Sequence, residues 1–298
     1  MALVFESTVI ALGDQVFYGD FYSQELSSPE WCDDLYFTGN TRRALSHQSS
    51  SLSQRLIELL AHHRSALAHI SPNASVCLLL PEINDRQHIA DVLKAVQRVL
   101  PTSMDIDRPL FCFPYGSASF LVALERISTL AHSSYGCWVL SLDSSESFCS
   151  GHEYQLFDDI KTDSLLVSRI VVADEGLEAS KVQIDCYSQA YSSGVDSVMP
   201  SLATLCGQEL TDLALSLHDD ESSDWQSHLF RFSPWITQET TYRFNNLMIG
   251  EVGAGSGLLK TLGLYEQQKM AFKSTFHALQ LDSDPHGMAA GVLYRWRT

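Results

Sequence analysis

Positive charge is scarce in this 298-residue chain: 19 Lys and Arg stand against 36 Asp and Glu, a formal net charge of -17. Nucleic acid and anionic membrane surfaces both select for basic surface, so neither is an expected partner. No apolar run reaches the roughly 20 residues needed to span a bilayer. Residues 1–10 lack a basic start and a cleavage pattern, so no signal peptide is expected. The seven cysteines (Cys32, Cys77, Cys112, Cys137, Cys149, Cys186 and Cys206) include no CxxC pair. Their odd number, and their placement in apolar runs such as VCLLL, LFCF and GCWVL, point to free thiols in a reducing cytoplasm. The histidines make no HxxxH, HExxH or Cys/His set, so no metal is called for, and no organic cofactor either.

What is present is a globular composition, 45% hydrophobic and 18% charged, in a chain long enough for a large core or two halves. The most informative stretch is LFCFPYGSASFLVALERISTL, residues 110–130. A short apolar run reaches the turn Pro114-Tyr115-Gly116-Ser117. A helix then carries Phe120, Leu121, Leu124 and Ile127 at helical spacing, with Ser117 or Ser119 placed to cap it. A buried strand turning sharply into a buried helix displays whatever sits at its elbow, and in many α/β enzymes that residue is a nucleophile. Here it is Gly116, which has no side chain to react.

In chain order, residues 2–12 read as one opening strand or a strand with a break. Residues 13–50 set many aromatics among Gly, Ser and Asp. They either cover their own core or form a partner surface, and the aggregation hazard of exposed aromatics favours the first. An amphipathic helix follows over 51–70, a continuously apolar strand over 74–80, a helix over 86–100, the elbow, and a strand over 136–142. Alternating strands and helices imply a mainly parallel sheet. Residues 144–163 read as a polar connection, and 165–173 with 181–187 as a hairpin. A helix is expected over 197–218, either continuous or broken near Gly207, an acidic loop over 219–224 and a short strand over 228–232. The glycine-rich turn 250–257 opens another helix, and the last strands are expected over 269–281 and 287–296.

Four features together resemble the β-ketoacyl synthases of the thiolase superfamily. GSASFLVALERI is similar to their nucleophile elbow, and IGEVGAGSGLLKTLGL to their GHxxGAAG turn and helix. LLVSRIVVADEGLEASKVQIDCY lies where that family has a strand, turn and strand, and GMAAGVLYRW resembles its closing strand. The order and spacing agree over residues 74–298. The resemblance implies the thiolase fold: two similar α/β halves, here 1–150 and 151–298, each a mixed five-stranded sheet with helices, in a layered sandwich that usually dimerises.

Carried over residue by residue, the nucleophilic cysteine falls on Gly116 and the active-site histidine on Glu251. The second histidine should lie between His218 and Thr241, where His228 has no matching neighbours. The chain is shorter than a usual ketosynthase. Condensation needs a thiolate to carry the acyl group and donors to stabilise the oxyanion. Glycine supplies no thiolate, and a carboxylate at 251 repels an oxyanion. Glu251 reads either as a helix N-terminal charge held by the dipole or, if burial raises its pKa, as a general base. Cys112 reads as a buried structural thiol or a displaced nucleophile, and Ser117 and Ser119 as caps or nucleophiles. Residues 250–257 offer a weak phosphate cradle, occupied at one position by Glu251.

The resulting expectation is a catalytically inactive, ketosynthase-like binding scaffold: a partner subunit, like chain-length factors, or an adaptor of bacterial effector secretion. The alternative is an active acyltransferase or hydrolase of this fold using Cys112 or Ser117 with Glu251. Expected partners are another protein or a second copy, with acyl carrier protein or acyl-CoA also compatible.

Overall fold

A computed structural model of the chain describes residues 2–19, 21, 22, 30, 31, 41–43, 45, 51–101, 108–144, 161–186, 194–216, 224–271, 275–283 and 288–298. Residues 145–160 of the polar connection expected over 144–163, residues 219–223 of the acidic loop expected over 219–224, and the aromatics Tyr36 and Phe37 lie outside these residues.

The first run of elements is β1 (Ala2–Leu12), β2 (Gln15–Tyr18), β3 (Glu30–Trp31), β4 (Thr41–Arg43), α1 (Leu52–His62), β5 (Ser75–Leu80), α2 (Arg86–Val99), β6 (Leu110–Pro114), α3 (Ser119–Leu130), β7 (Cys137–Asp143), β8 (Lys161–Thr162) and β9 (Ser164–Ala173). The second is β10 (Gly176–Ala179), β11 (Gln183–Cys186), α4 (Val195–Leu205), β12 (Leu210–Leu215), β13 (Ile236–Phe244), α5 (Asn245–Ile249), α6 (Ser256–Ala271), β14 (His277–Ser283) and β15 (Met288–Arg297).

The two runs repeat one plan. In space the first is ordered β6-β5-β7-β9-β1, and the second β13-β12-β14-β15-β10, with β11 also on β15. Counted in chain order, the five main strands are β1, β5, β6, β7 and β9 in the first half and β10, β12, β13, β14 and β15 in the second; in each, the second runs parallel to the third and fourth, and the fifth runs antiparallel to its neighbours. The halves meet where β1 pairs with β10, Leu3 opposite Leu177. The sheets are therefore mixed. The first repeat ends with β9, beyond residue 150, because its last strand returns antiparallel after the connection at 145–160.

Strand alternation sorts the core into layers. Along β5, Val76, Leu78 and Leu80 pack outward with α1 and α2, while Cys77 and Leu79 pack inward. Along β14, Leu279 and Leu281 pack outward with α4, while Ala278 packs inward. The inward faces of both sheets close on α3 and α6. The result is helices, sheet, helices, sheet, helices. α6 is buried around most of its girth, its polar residues Lys260, Thr261 and Gln268 included.

Several sequence expectations are corrected. Residues 197–218 are not one helix: α4 ends at Leu205, Gly207 and Gln208 turn the chain, and LTDLAL forms β12. Leucines at this spacing satisfy both periods, so the turn decides. Residues 228–232 belong to a 3-10 helix, Asp224–Phe232. Residues 269–271 continue α6, and the next strand begins at His277. The helix expected over 51–70 breaks after His62 into a separate 3-10 turn, Arg64–Leu67. β9 does not pair with β10 or β11 as a hairpin; β9 and β10 flank β1 on opposite edges. The aromatic segment does cover its own core at Phe17 and Phe21, which pack edge to face at 5.0 Å within the middle layer.

Candidate functional site

Each repeat carries the same elbow and helix, the first reached directly from β6 and the second from β13 through α5. In the first, Tyr115 leads to a 3-10 turn, Gly116–Ala118, and then α3. In the second, Val252 leads to a 3-10 turn, Gly253–Gly255, and then α6. Gly116 has φ +55° and Gly253 φ +43°, a region that side-chain-bearing residues rarely adopt. A serine opens each helix, Ser119 and Ser256. The two elbows lie together in the middle layer, so this is where a ketosynthase-like site would be built.

Each elbow is fastened by the fourth strand of the other half. The Ser117 hydroxyl donates to the carbonyl of Ser283, at the end of β14, at 2.6 Å. The amide of Ala254 donates to the carboxylate of Asp143, at the end of β7, at 2.6 Å. Asp143 is buried, and a Cβ on Gly253 would overlap its carboxylate. The hydroxyls of Thr162 and Ser164 reach the carbonyls of Ile249 and Val252, both at 3.3 Å. The first half thus grips the glycine-rich turn of the second.

The sequence candidates take their places as follows. Ser119 is fully buried; its Oγ accepts from the Tyr115 amide at 3.0 Å and sits 3.0 and 2.9 Å from the carbonyls of Leu80 and Phe113. Glu251 is half-buried, and its carboxylate accepts from the amide of Gly253 at 3.0 Å. The amides of Gly253 and Ala254 are therefore both given to carboxylates, and that of Gly255 to the Val252 carbonyl at 2.9 Å. Those are the donors a phosphate or an oxyanion would need.

Cys112 faces away from the elbow. It packs with the outer layer of α1 and α2, whereas its neighbours Phe111 and Phe113 pack toward the middle layer. Burial pushes its thiol pKa up to about 11, which leaves little thiolate near neutral pH. Of the two alternative nucleophiles expected to work with Glu251, Cys112 packs in the outer layer and the Ser117 hydroxyl donates to the Ser283 carbonyl. His228 lies on the outer layer packed against α4, 2.9 Å from the Asp196 carboxylate. It is not beside the elbows.

A buried polar network escaped the sequence reading. The Lys260 ammonium donates to the Leu281 carbonyl at 2.9 Å and to the Asp282 carboxylate at 2.7 Å. Gln280 donates to the other oxygen of Asp282 at 2.8 Å and to the Gly257 carbonyl at 2.9 Å. Thr261 Oγ1 lies 2.8 Å from the Gln280 amide oxygen and 3.2 Å from the Tyr294 hydroxyl. All of these side chains are at most 2% exposed. The signal was present as a lysine in GLLKTLGL and an aspartate in LQLDS, each a charge inside an apolar run. Among the described residues, no cluster of three or more His, Cys, Asp or Glu side chains is arranged to hold a metal, and no helix is long and apolar enough to cross a membrane.

No family model and no curated protein matches the chain. Solved structures do. The ishigamide ketosynthase/chain length factor is 10% identical with a TM-score of 0.61, covering 100% of both chains. ChlB3, described as an acyltransferase, is 11% identical with a TM-score of 0.58, covering 100% of this chain and 98% of its own. A ketosynthase from module 6 of the bacillaene synthase of Bacillus subtilis 168 is 9% identical with a TM-score of 0.57; the match covers 83% of this chain but only 57% of that one. At these identities the likeness is one of fold. The chain has a ketosynthase-like thiolase fold.

Proposed function

We propose that this chain is a catalytically silent ketosynthase-like scaffold that works by binding a protein partner, as a partner subunit or an accessory adaptor. The observation that carries the reading is the elbow. The position where the resemblance puts the nucleophile is Gly116, and Ser117, Ser119 and Glu251 around it are each spent on structural hydrogen bonds. A working site keeps its donors and bases free for the reacting atoms. Likeness in fold to a ketosynthase/chain length factor over the full length of both chains supports the partner-subunit form of this reading.

The sheet edge supports a protein partner. Among the described residues no strand lies beyond β6, and Leu110, Phe111, Cys112 and Phe113 on it are only partly covered. An apolar edge of this kind offers backbone groups and side chains to another strand. Phe111→Glu tests it. Arg126 already lies over the Phe111 ring at 4.1 Å, so the new carboxylate meets a cation and the fold is kept. Sedimentation velocity at tens of micromolar is expected to show a wild-type dimer that Phe111→Glu dissociates. A wild-type dimer unaffected by the substitution removes the β6 edge as the interface. A wild-type monomer removes the homodimer and leaves only a different protein as partner.

A further inference from the structure

We infer that the groove between the 3-10 turn Arg64–Leu67 and the C-terminal end of α2 is a binding site for a small organic phosphate. The groove has a volume of about 630 Å³ and is lined by Arg64, Ser65, Ala68, Arg98, Val99, Leu100 and Pro101. That volume is in the range of pockets that take small molecules. It lies on the outer layer of the first half, apart from the two elbows, and the inference is independent of the scaffold reading.

Charge sets this groove apart. Acidic side chains outnumber basic ones 36 to 19 in the chain, yet among the described residues the groove lining contains two arginines and no carboxylate. Some cations on this molecule are answered, Arg55 by Asp163, Arg169 by Glu6, Arg243 by Asp212, Lys260 by Asp282 and Arg295 by Glu178, while Arg126, Arg231 and Lys269 lie over aromatic rings. Among the described residues no carboxylate pairs with Arg64 or Arg98. A third guanidinium stands behind the groove. Arg108 donates to the carbonyl of Pro101 at 2.7 Å and to those of Ser71 and Pro72, and its Nη1 has no acceptor among the described residues. The dipole of α2 favours one cation in its last turn, where Arg98 sits. It does not account for Arg64 across the groove.

The chemistry of the occupant follows. A chain of net charge -17 repels anions at long range, so only a ligand met by both guanidiniums at contact is held. A dianionic phosphate monoester offers oxygens to two planar forks at once. Val99, Leu100 and Pro101 supply an apolar wall for its organic part.

The test is isothermal titration with phenyl phosphate and, separately, inorganic phosphate, on wild type and on the Arg64→Gln and Arg98→Gln single and double variants. Both arginines are exposed, so the variants are expected to keep the wild-type circular dichroism. Expected results are saturable one-site binding of phenyl phosphate, several-fold tighter than inorganic phosphate, weakened about tenfold by either single change and lost in the double variant. Absence of binding to wild type, or binding that survives in the double variant, overturns the inference. Equal affinity for the two probes overturns the organic part of it and leaves an inorganic anion site.

Discussion

Replacing Lys260 by Met should unfold this protein more readily than any surface change, and the structure says by how much. Lys260 and Asp282 are 2% and 0% exposed and 2.7 Å apart, in the middle layer that both halves share. Methionine has nearly the length of lysine without its charge, so packing changes little. What changes is Asp282, which keeps one hydrogen bond from Gln280 and loses its cation. Removing one partner of a buried pair costs about 3–5 kcal/mol, because the other charge is left without compensation. The Leu281 carbonyl also loses its donor. Urea unfolding followed by tryptophan fluorescence should show a midpoint shift of that size. The double variant Lys260→Met, Asp282→Leu should recover much of the loss, since well-packed apolar pairs substitute for buried ion pairs at little cost. A single-variant loss under about 1 kcal/mol, the range of an exposed pair, would refute the reasoning.

Other predictions follow from the same geometry. Gly253→Ala places a side chain at φ +43° against the Asp143 carboxylate; a loss of about 2 kcal/mol or more is expected in the same urea assay, and an unchanged midpoint contradicts the grip of β7 on the second elbow. Tyr22→Phe removes a hydroxyl that donates to the Leu259 carbonyl at 2.7 Å, and should cost about 1 kcal/mol, read as a small midpoint shift. Alkylation of Cys112 by iodoacetamide, followed by peptide mapping, should be slow at neutral pH and accelerate toward pH about 11; fast labelling at pH 7 contradicts the raised pKa of this partly buried thiol. Burial lowers the pKa of His63 below its usual value. The unfolded chain then binds a proton that the folded chain does not, so this contribution is complete above about pH 6.5 and is lost as pH falls through the window below it. His63→Gln keeps a donor for the Gly13 carbonyl, 2.9 Å away, and should flatten that acid limb of stability; an unaltered limb assigns it to other groups.

Much of the middle of the fold was legible in the sequence, for definite reasons. The run ASVCLLL has no polar face, so it had to be a doubly covered strand, and the structure buries all of Val76 to Leu80. Gly116 and the apolar spacing after it marked the elbow, and Pro101 stopped α2. The errors share one cause. Local periodicity was ambiguous where leucines spaced by two to five residues fit either a helix or a strand, as at 205–217, and a turn at Gly207 decided the matter. The 9-residue strand β13 was missed because ITQETTYRF is an edge strand with few buried residues.

The site was legible as residue types but not as contacts. That Gly116 and Glu251 stand at the positions of a nucleophile and a histidine could be read directly. That Asp143 holds the second elbow from 111 residues away could not, since an aspartate ending GCWVLSLD has no local feature to announce it. The same holds for Ser117 and Ser283, 166 residues apart. Both contacts exist because the repeat brings each fourth strand to the opposite elbow.

The central claim is that the elbows are structural and carry no acyl group. It is met most directly by intact-protein mass spectrometry after incubation with malonyl-CoA, a longer acyl-CoA and an acylated carrier protein. The account predicts an unchanged mass with every donor. A stable acyl adduct mapped to Cys112 or Ser117 would contradict it and make the chain an enzyme with a relocated nucleophile.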